Sequence, residues 1–202
     1  MKHGKLFVFS GPSASGKGTI CRELLKEPDT WLSVSLTTRQ PREGELHGVH
    51  YYFVTREEYD RTVEEDGFLE HAEIYGNCYG TPKKYALEHM AAGEDVILEI
   101  EMQGALQIKK AYPEAVLIFV LPPSLKELRN RIRKRGTESE EQIAVRMKTT
   151  LEEIGLLDKY DYFLINDDLS EAIATAKAIL KAEHCRTAGQ SEALIERFKE
   201  EE

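Results

Sequence analysis

The chain predicts an α/β protein with a mainly parallel sheet layered between helices, and three observations carry that prediction. Apolar runs of strand length, Leu6 to Phe9, Val96 to Ile100 and Ala115 to Leu121, are separated by segments with Ile and Leu at helical spacing. Such alternation implies parallel neighbours, because parallel strands need a crossover connection. The first run leads into GPSASGKGT, where Gly11, four residues, then Gly16 and Lys17 have the spacing of a loop that cradles phosphate with backbone N–H groups and a helix N-terminus. In an open parallel sheet this loop sits at the carboxyl ends of the strands, where ligands bind. An ordinary glycine-rich turn is the plain alternative; the lysine at its fixed offset argues against it.

With 202 residues, one domain is the default, large enough for a sizeable core without disulfides. The formal net charge of −9 argues against polymeric nucleic acid or an anionic membrane as a partner, since both require a broad basic face. Cys21, Cys78 and Cys185 are widely separated and lack CxxC spacing, so reduced thiols are expected rather than a disulfide framework or a zinc site. His47 and His50 have no companions that would complete a metal site and are read as loop residues. No run is long enough for a signal peptide or a membrane span, so a cytoplasmic protein is expected. Homo-oligomerisation is left open.

After the loop, Ile20, Leu24 and Leu25 predict a helix over 17–27, ended by Pro28 and Asp29. Trp31, Leu32, Val34 and Leu36 predict one strand running out into a polar loop with Arg39 and Arg42. Residues 51–54 predict another strand, and Thr55 with Glu58 forms a capping box for a helix through Glu65. FLEHAEI, residues 68–74, alternates as a half-exposed strand does. This block of short strands breaks the alternation around it and reads as an insertion. Pro82 and Gly93 bracket a helix over 83–92. The strand that follows carries Glu99 and Glu101 on one face or at one end. A helix over 104–111 and the most apolar strand, 115–121, precede two capped helices, one begun by Ser124 with Glu127 and strongly basic, the other begun by Ser139 with Gln142. A short strand over 162–165, a polar turn at Asn166 to Asp168 and a helix over 169–184 close the pattern; the charged tail has weak amphipathy at Ala193, Leu194, Ile195 and Phe198.

A phosphate loop by itself does not name a reaction. A phosphoryl-transfer enzyme with a second anionic substrate needs further cations, because two polyanions must meet in line. Two sets are available. Arg39 and Arg42, with Tyr51 and Tyr79, offer planar donor forks and hydroxyls suited to a phosphate. Arg131 and Arg135, four apart on one helix face, are joined by Arg146 beyond the Gly136 turn. The bland reading of each set is a solvated surface, and Arg129, Arg133 and Lys134 are assigned to it.

Taken together these residues resemble the guanylate kinases. The resemblance is carried by GPSASGKGT from Gly11, whose GKGT ending is shared with kinases of nucleoside monophosphates, SVSLTTRQPREGE from Ser33, YYF from Tyr51, FLEHAEIYGNCYGTP from Phe68, ILEIEMQG from Ile97, PPS from Pro122, RIRKRGTESEEQIAVRM from Arg131 and INDDL from Ile165. It spans about residues 6–185 in one register. It implies a three-layer P-loop kinase core (1–34, 84–125 and 147–202), an inserted GMP-binding domain (35–83) and a small helical lid (126–146). The implied reaction is ATP-dependent phosphorylation of GMP, and of dGMP, with Mg²⁺ held mainly by the nucleotide phosphates. ATP-binding positions fall on Gly11, Pro12, Ser13, Ala14, Ser15, Gly16, Lys17, Gly18 and Thr19, with Asn166 and Asp167 on the adenine side. The GMP phosphate falls to Arg39, Arg42, Tyr51 and Tyr79, and the guanine to Ser35, Glu70, Thr81 and Glu101. Glu99 joins the GMP side as the residue that orders magnesium's water shell. Lys17, Arg39, Arg131, Arg135 and Arg146 form the implied catalytic set.

The base readers make chemical sense, since guanine offers N1–H and an amino group as adjacent donors that one carboxylate can accept. Three departures mark this chain. Gly18 stands where a strict phosphate loop has Ser or Thr, Glu101 where aspartate is common, and Ala14 where glycine is common. Ala14 is expected to adopt a conformation that alanine tolerates. The rival readings are a non-catalytic guanylate-kinase-like module that binds phosphopeptides and a related-fold kinase of a ribose phosphate.

Overall fold

The computed structural model describes residues 3–74, 76–135, 139–189 and 191–199. The Gly136 turn and the Arg135 side chain lie outside the described residues, as does the side chain of Ala193. The chain begins with β1 (Leu6–Ser10), enters α1 (Lys17–Leu24) through the phosphate loop, and continues with β2 (Thr30–Leu32), β3 (Leu36–Thr37) and β4 (Tyr52–Phe53). Next come α2 (Arg56–Glu64), β5 (Phe68–Ile74), β6 (Asn77–Pro82) and α3 (Lys83–Ala91). The second half alternates β7 (Asp95–Glu99), α4 (Met102–Ala111), β8 (Val116–Leu121), α5 (Leu125–Arg135), α6 (Glu140–Ile154), β9 (Tyr162–Ile165), α7 (Leu169–Glu183) and α8 (Ser191–Lys199).

Two sheets result. The larger has the order β2-β7-β1-β8-β9 and is parallel throughout. Every residue of β1, its central strand, is buried, because side chains on both of its faces meet helices. Phe7 and Phe9 point to one core with Ile20 and Leu24 of α1 and Ala176 of α7. Leu6 and Val8 point to a second core with Ala86 of α3 and Ala105 and Ile108 of α4. The three-layer α/β prediction holds. The smaller sheet has the order β4-β3-β6-β5, with β3 and β4 parallel and the other pairings antiparallel. Leu69 of β5 belongs to the second core of the large sheet, so the two sheets share packing through α4.

Several elements depart from expectation. The single strand predicted across Trp31 to Leu36 is two strands in different sheets, with Ser33 to Ser35 making the crossing. β6 is unpredicted; NCYGTP has neither apolar alternation nor β-branched enrichment, and its strand character comes from pairing with β5 and β3. Pro82 stands at the N-terminal boundary of α3, as expected, and also ends β6. α1 stops at Leu24, short of Pro28. Two of the three expected caps form as full capping boxes, Thr55 with Glu58 and Ser139 with Gln142, and at α5 the Ser124 hydroxyl accepts from the Glu127 N–H at 3.1 Å. Leu194, Ile195 and Phe198 of α8 are exposed.

Candidate active site

The phosphate loop links β1 to α1, and α1 starts at Gly16 without any side-chain cap. Its first N–H groups are therefore turned toward the loop's hollow, the arrangement that favours an anion. Lys17 is buried, and its ammonium donates to the carbonyls of Gly11 and, at 3.2 Å, Pro12. Asn166, buried at the end of β9, donates its side-chain amide to the Ser15 carbonyl at 2.8 Å. That bond makes Asn166 a brace of the loop. Arg131 of α5 donates to the Asn166 carbonyl at 3.0 Å and to Glu127 at 3.0 Å. One predicted catalytic arginine is thus tied to the loop through one residue, while Asp167 next door is exposed.

Ala14 corrects the expectation of a tolerant conformation. Its φ is 68°, in the left-handed region, where a Cβ costs about 1–2 kcal/mol. Gly18 lies beside Glu99. A Cβ at Gly18 would stand 3.1 Å from both carboxylate oxygens of the exposed Glu99, so a larger residue after the lysine would require that side chain to shift by a few tenths of an ångström. Glu99 ends β7 and Glu101 occupies the N-cap position of α4, so the two carboxylates share one end of the strand, as expected.

The smaller sheet gathers the residues expected to take a second anion. Arg39 donates from Nη2 to both oxygens of Glu45 at 2.9 Å, and the Arg42 backbone N–H donates to Glu45 at 2.7 Å. Burial works against the Glu45 charge, but the bonds from Arg39 and Arg42 outweigh it and hold its pKa below the usual carboxylate range. The Arg39 guanidinium lies over the Tyr51 ring at 5.5 Å, and the Tyr51 and Tyr79 rings meet edge-on at 6.0 Å. Burial, followed by the Glu99 charge, pushes the Tyr51 hydroxyl up to about 12, so it remains a donor at neutral pH. Arg42 itself is exposed, and Ser35 lies half-buried where the chain enters β3. His47 and His50 each accept a backbone hydrogen bond, from Phe53 at 3.2 Å and Leu46 at 3.1 Å.

Glu70 and Thr81 face one another across β5 and β6, and the Thr81 hydroxyl donates to Glu70 at 2.6 Å. Glu70 is only 6% exposed, and burial raises its pKa against the bonds from Thr81. Gly104 in the first turn of α4 makes this possible, since a Cβ there would stand 2.3 Å from a Glu70 oxygen. Gln107, one turn further on, accepts from the His71 N–H at 3.3 Å and donates to its carbonyl at 3.1 Å, clamping β5 onto α4. Sequence reading missed Glu45, Gly104 and Gln107. Glu45 has a weak signal in lying three residues after Arg42 in a turn; the other two have none, because their partners are distant in sequence.

A cavity of about 400 Å³ lies between these parts, lined by Ser13 of the loop, Glu73 and Ile74 of β5, Glu101 to Gln103 at the start of α4, and Ile132, Arg146 and Glu153 from α5 and α6. Burial, then the Glu101 charge, push Glu153 up to about 7, against Lys17 and Arg146. Sequence reading missed Glu153 as well. Arg39, Arg42, Glu70 and Glu99 are not among the lining side chains; Glu101 is, and its charge also acts on Tyr51. Among the described residues no three of His, Cys, Asp and Glu are grouped to hold a metal.

A chain that can hold one nucleotide's phosphates at a braced loop and gather a second anion in the same fold is a phosphoryl-transfer protein of the phosphate-loop class. Comparison narrows this. Residues 3–183 match the family model described as guanylate kinase. The chain is 55% identical over 186 residues to a guanylate kinase of Caldanaerobacter subterraneus subsp. tengcongensis, covering 92% of this chain and 90% of that protein. It is 52% identical over 202 residues to one from Clostridioides difficile, covering 100% and 98%. The crystal structure of guanylate kinase from Anaplasma phagocytophilum superposes with a TM-score of 0.80 at 36% identity, covering 98% of this chain and 96% of that one. The chain belongs to the guanylate kinase family.

Proposed function

We propose that the chain transfers the γ-phosphoryl group of ATP to GMP, and to dGMP, giving ADP and GDP or dGDP. The observation that carries the choice of acceptor is the buried Glu70, bonded to Thr81 and fitted against Gly104. An acceptor-only carboxylate there suits the paired donors of guanine and would be left unpaired by adenine, which lacks a donor at N1. Lys17 exchanges its loop carbonyls for the β- and γ-phosphates, joined by the N–H groups of the loop from Gly11 to Thr19. Arg39, Arg42, Tyr51 and Tyr79 take the acceptor phosphate, with Ser35 and Glu101 beside the base. Arg131, Arg135 and Arg146 stabilise the charge that spreads over the transferring group, and Asn166 and Asp167 flank the adenine side. No general base is needed, because the acceptor oxygen is already anionic.

We assign residues 35–83 to the acceptor part, 126–146 to a lid and the remainder to the core; the last lid boundary falls within α6. Magnesium fits the donor set: the exposed Glu99 carboxylate and the Thr19 hydroxyl flank Gly18, hard oxygen donors too few to hold the ion without nucleotide phosphates. Bound with ATP, it supplies neutralisation of the phosphate charge. Cytoplasmic location is supported by reduced, widely spaced cysteines, and no described helix is long and apolar enough to cross a membrane. Turnover with ATP on GMP, dGMP, AMP and a ribose bisphosphate tests the reading. GMP and dGMP are expected to react and the other two to be poor acceptors. No turnover on any acceptor would favour the phosphopeptide-binding module, and ribose bisphosphate as the best acceptor would favour the sugar-phosphate kinase.

A further inference from the structure

We infer that Ala14 is a positioning residue, the point at which the phosphate loop seats the arginine-bearing helices α5 and α6; its consequence for catalysis rests on the phosphoryl-transfer reading above. Two ties join loop and helices. The polar one runs from Ser15 through Asn166 to Arg131. The apolar one is the Ala14 methyl, buried in one cluster with Leu128 and Ile132 of α5 and Ile143 and Met147 of α6. Each of these pairs is four residues apart and so shares a helix face, and both faces belong to the cluster that buries the methyl. Arg131 adjoins Ile132 in sequence and Arg146 adjoins Met147, so the seating of the apolar faces fixes where both guanidinium groups emerge relative to the loop. Ile132 and Arg146 line the same cavity as Ser13, which places the seat beside the site of transfer.

Strain identifies the methyl as something the fold retains against a local cost. Glycine would adopt a φ of 68° without penalty, yet it would leave the cluster one methyl short. A residue held in the left-handed region persists only where its surroundings over-determine it, and here those surroundings are the loop's own turn, closed by the Ser15 N–H on the Pro12 carbonyl at 3.1 Å, and the two helices packed on the methyl's cluster.

The test compares A14G, M147A and the double variant in the full chain, with two readouts. In the nucleotide-free protein, A14G is expected to quicken backbone hydrogen exchange in α5 and α6 while the β1 and β8 amides stay protected. With ATP and GMP, kcat is expected to fall roughly 10- to 100-fold with the GMP KM within about twofold, as a displaced but intact set of transfer groups requires. The double variant is expected to lose less than the product of the single losses, because both remove the same contact. Unchanged exchange in A14G, or losses that multiply, overturns the seat. Should M147A unfold, I143V trims the same face and completes the comparison. A wild-type chain that turns over no GMP, with the exchange difference still present, refutes the phosphoryl-transfer reading and leaves the seat standing.

Discussion

Gly104 has no side chain where Glu70 needs room, and the proposed choice of acceptor depends on this pair. A methyl at 104 meets the end of a flexible side chain rather than backbone, so Glu70 gives way and the helix does not. G104A is therefore expected to keep its melting temperature close to that of the wild type and to raise the GMP KM about 10- to 100-fold, the loss of one hydrogen bond to a charged group. An unchanged KM would show that Glu70 does not need its bond to Thr81. At this scale the sequence was legible only where a residue's partner is close along the chain or where the family resemblance supplied it. Alternation alone leaves Glu70 as an exposed strand residue; it is buried because α4 covers the start of β5, a fact that periodicity cannot contain. Ala14 shows the opposite case. Its position in the loop was legible, but its left-handed φ depends on the turn geometry and on two helices over a hundred residues away.

Elements with local causes were read correctly. The capping boxes at Thr55 and Ser139 need only four consecutive residues, and both form. The Thr55 box tests whether such local signals carry weight here. T55A leaves the Glu58 N–H without its acceptor and is expected to cost about 1 kcal/mol, with the whole of the loss in stability and none in GMP turnover. For a chain of this size that is a fall in Tm of about 2–4 °C, read by thermal unfolding. No change would mean that α2 is held by Tyr59 packing alone, since Tyr59 is its buried residue. Elements with non-local causes were misread. β6 is a strand because β3 and β5 flank it, and β2 and β3 separate because their partners lie in different sheets. Gly80 within β6 has the Phe68 ring packed where a side chain would stand, a contact fixed across the hairpin rather than along the strand.

For the whole molecule, the parallel sheet was legible because its strands are uniformly apolar and separated by helices, whereas the attachment of the smaller sheet was not, because Leu69 and Gln107 join parts with no shared pattern. The cavity between those parts makes stability depend on pH. Glu153 has its folded pKa raised from 4.5 to about 7, by burial first and Glu101 second. The folded state therefore binds more protons than the unfolded state between those values, and stability falls as pH rises through that window. Removing the charge with E153Q is expected to raise Tm relative to wild type at pH 8 and to leave the two close at pH 5. A difference that is the same at both values would remove Glu153 as the cause.

The central claim is that an acidic pocket selects guanine for a phosphate brought to the loop. Its most direct measurement is kcat/KM for GMP against AMP, with ATP as donor, in the wild type and in E70Q. A GMP preference of about 10⁴ or more in the wild type is predicted, as expected of a site built on buried hydrogen-bonding groups. E70Q is predicted to lose most of its activity on GMP and to bring the two acceptors close together. Equal turnover of AMP by the wild type, or an undiminished GMP preference in E70Q, would contradict it.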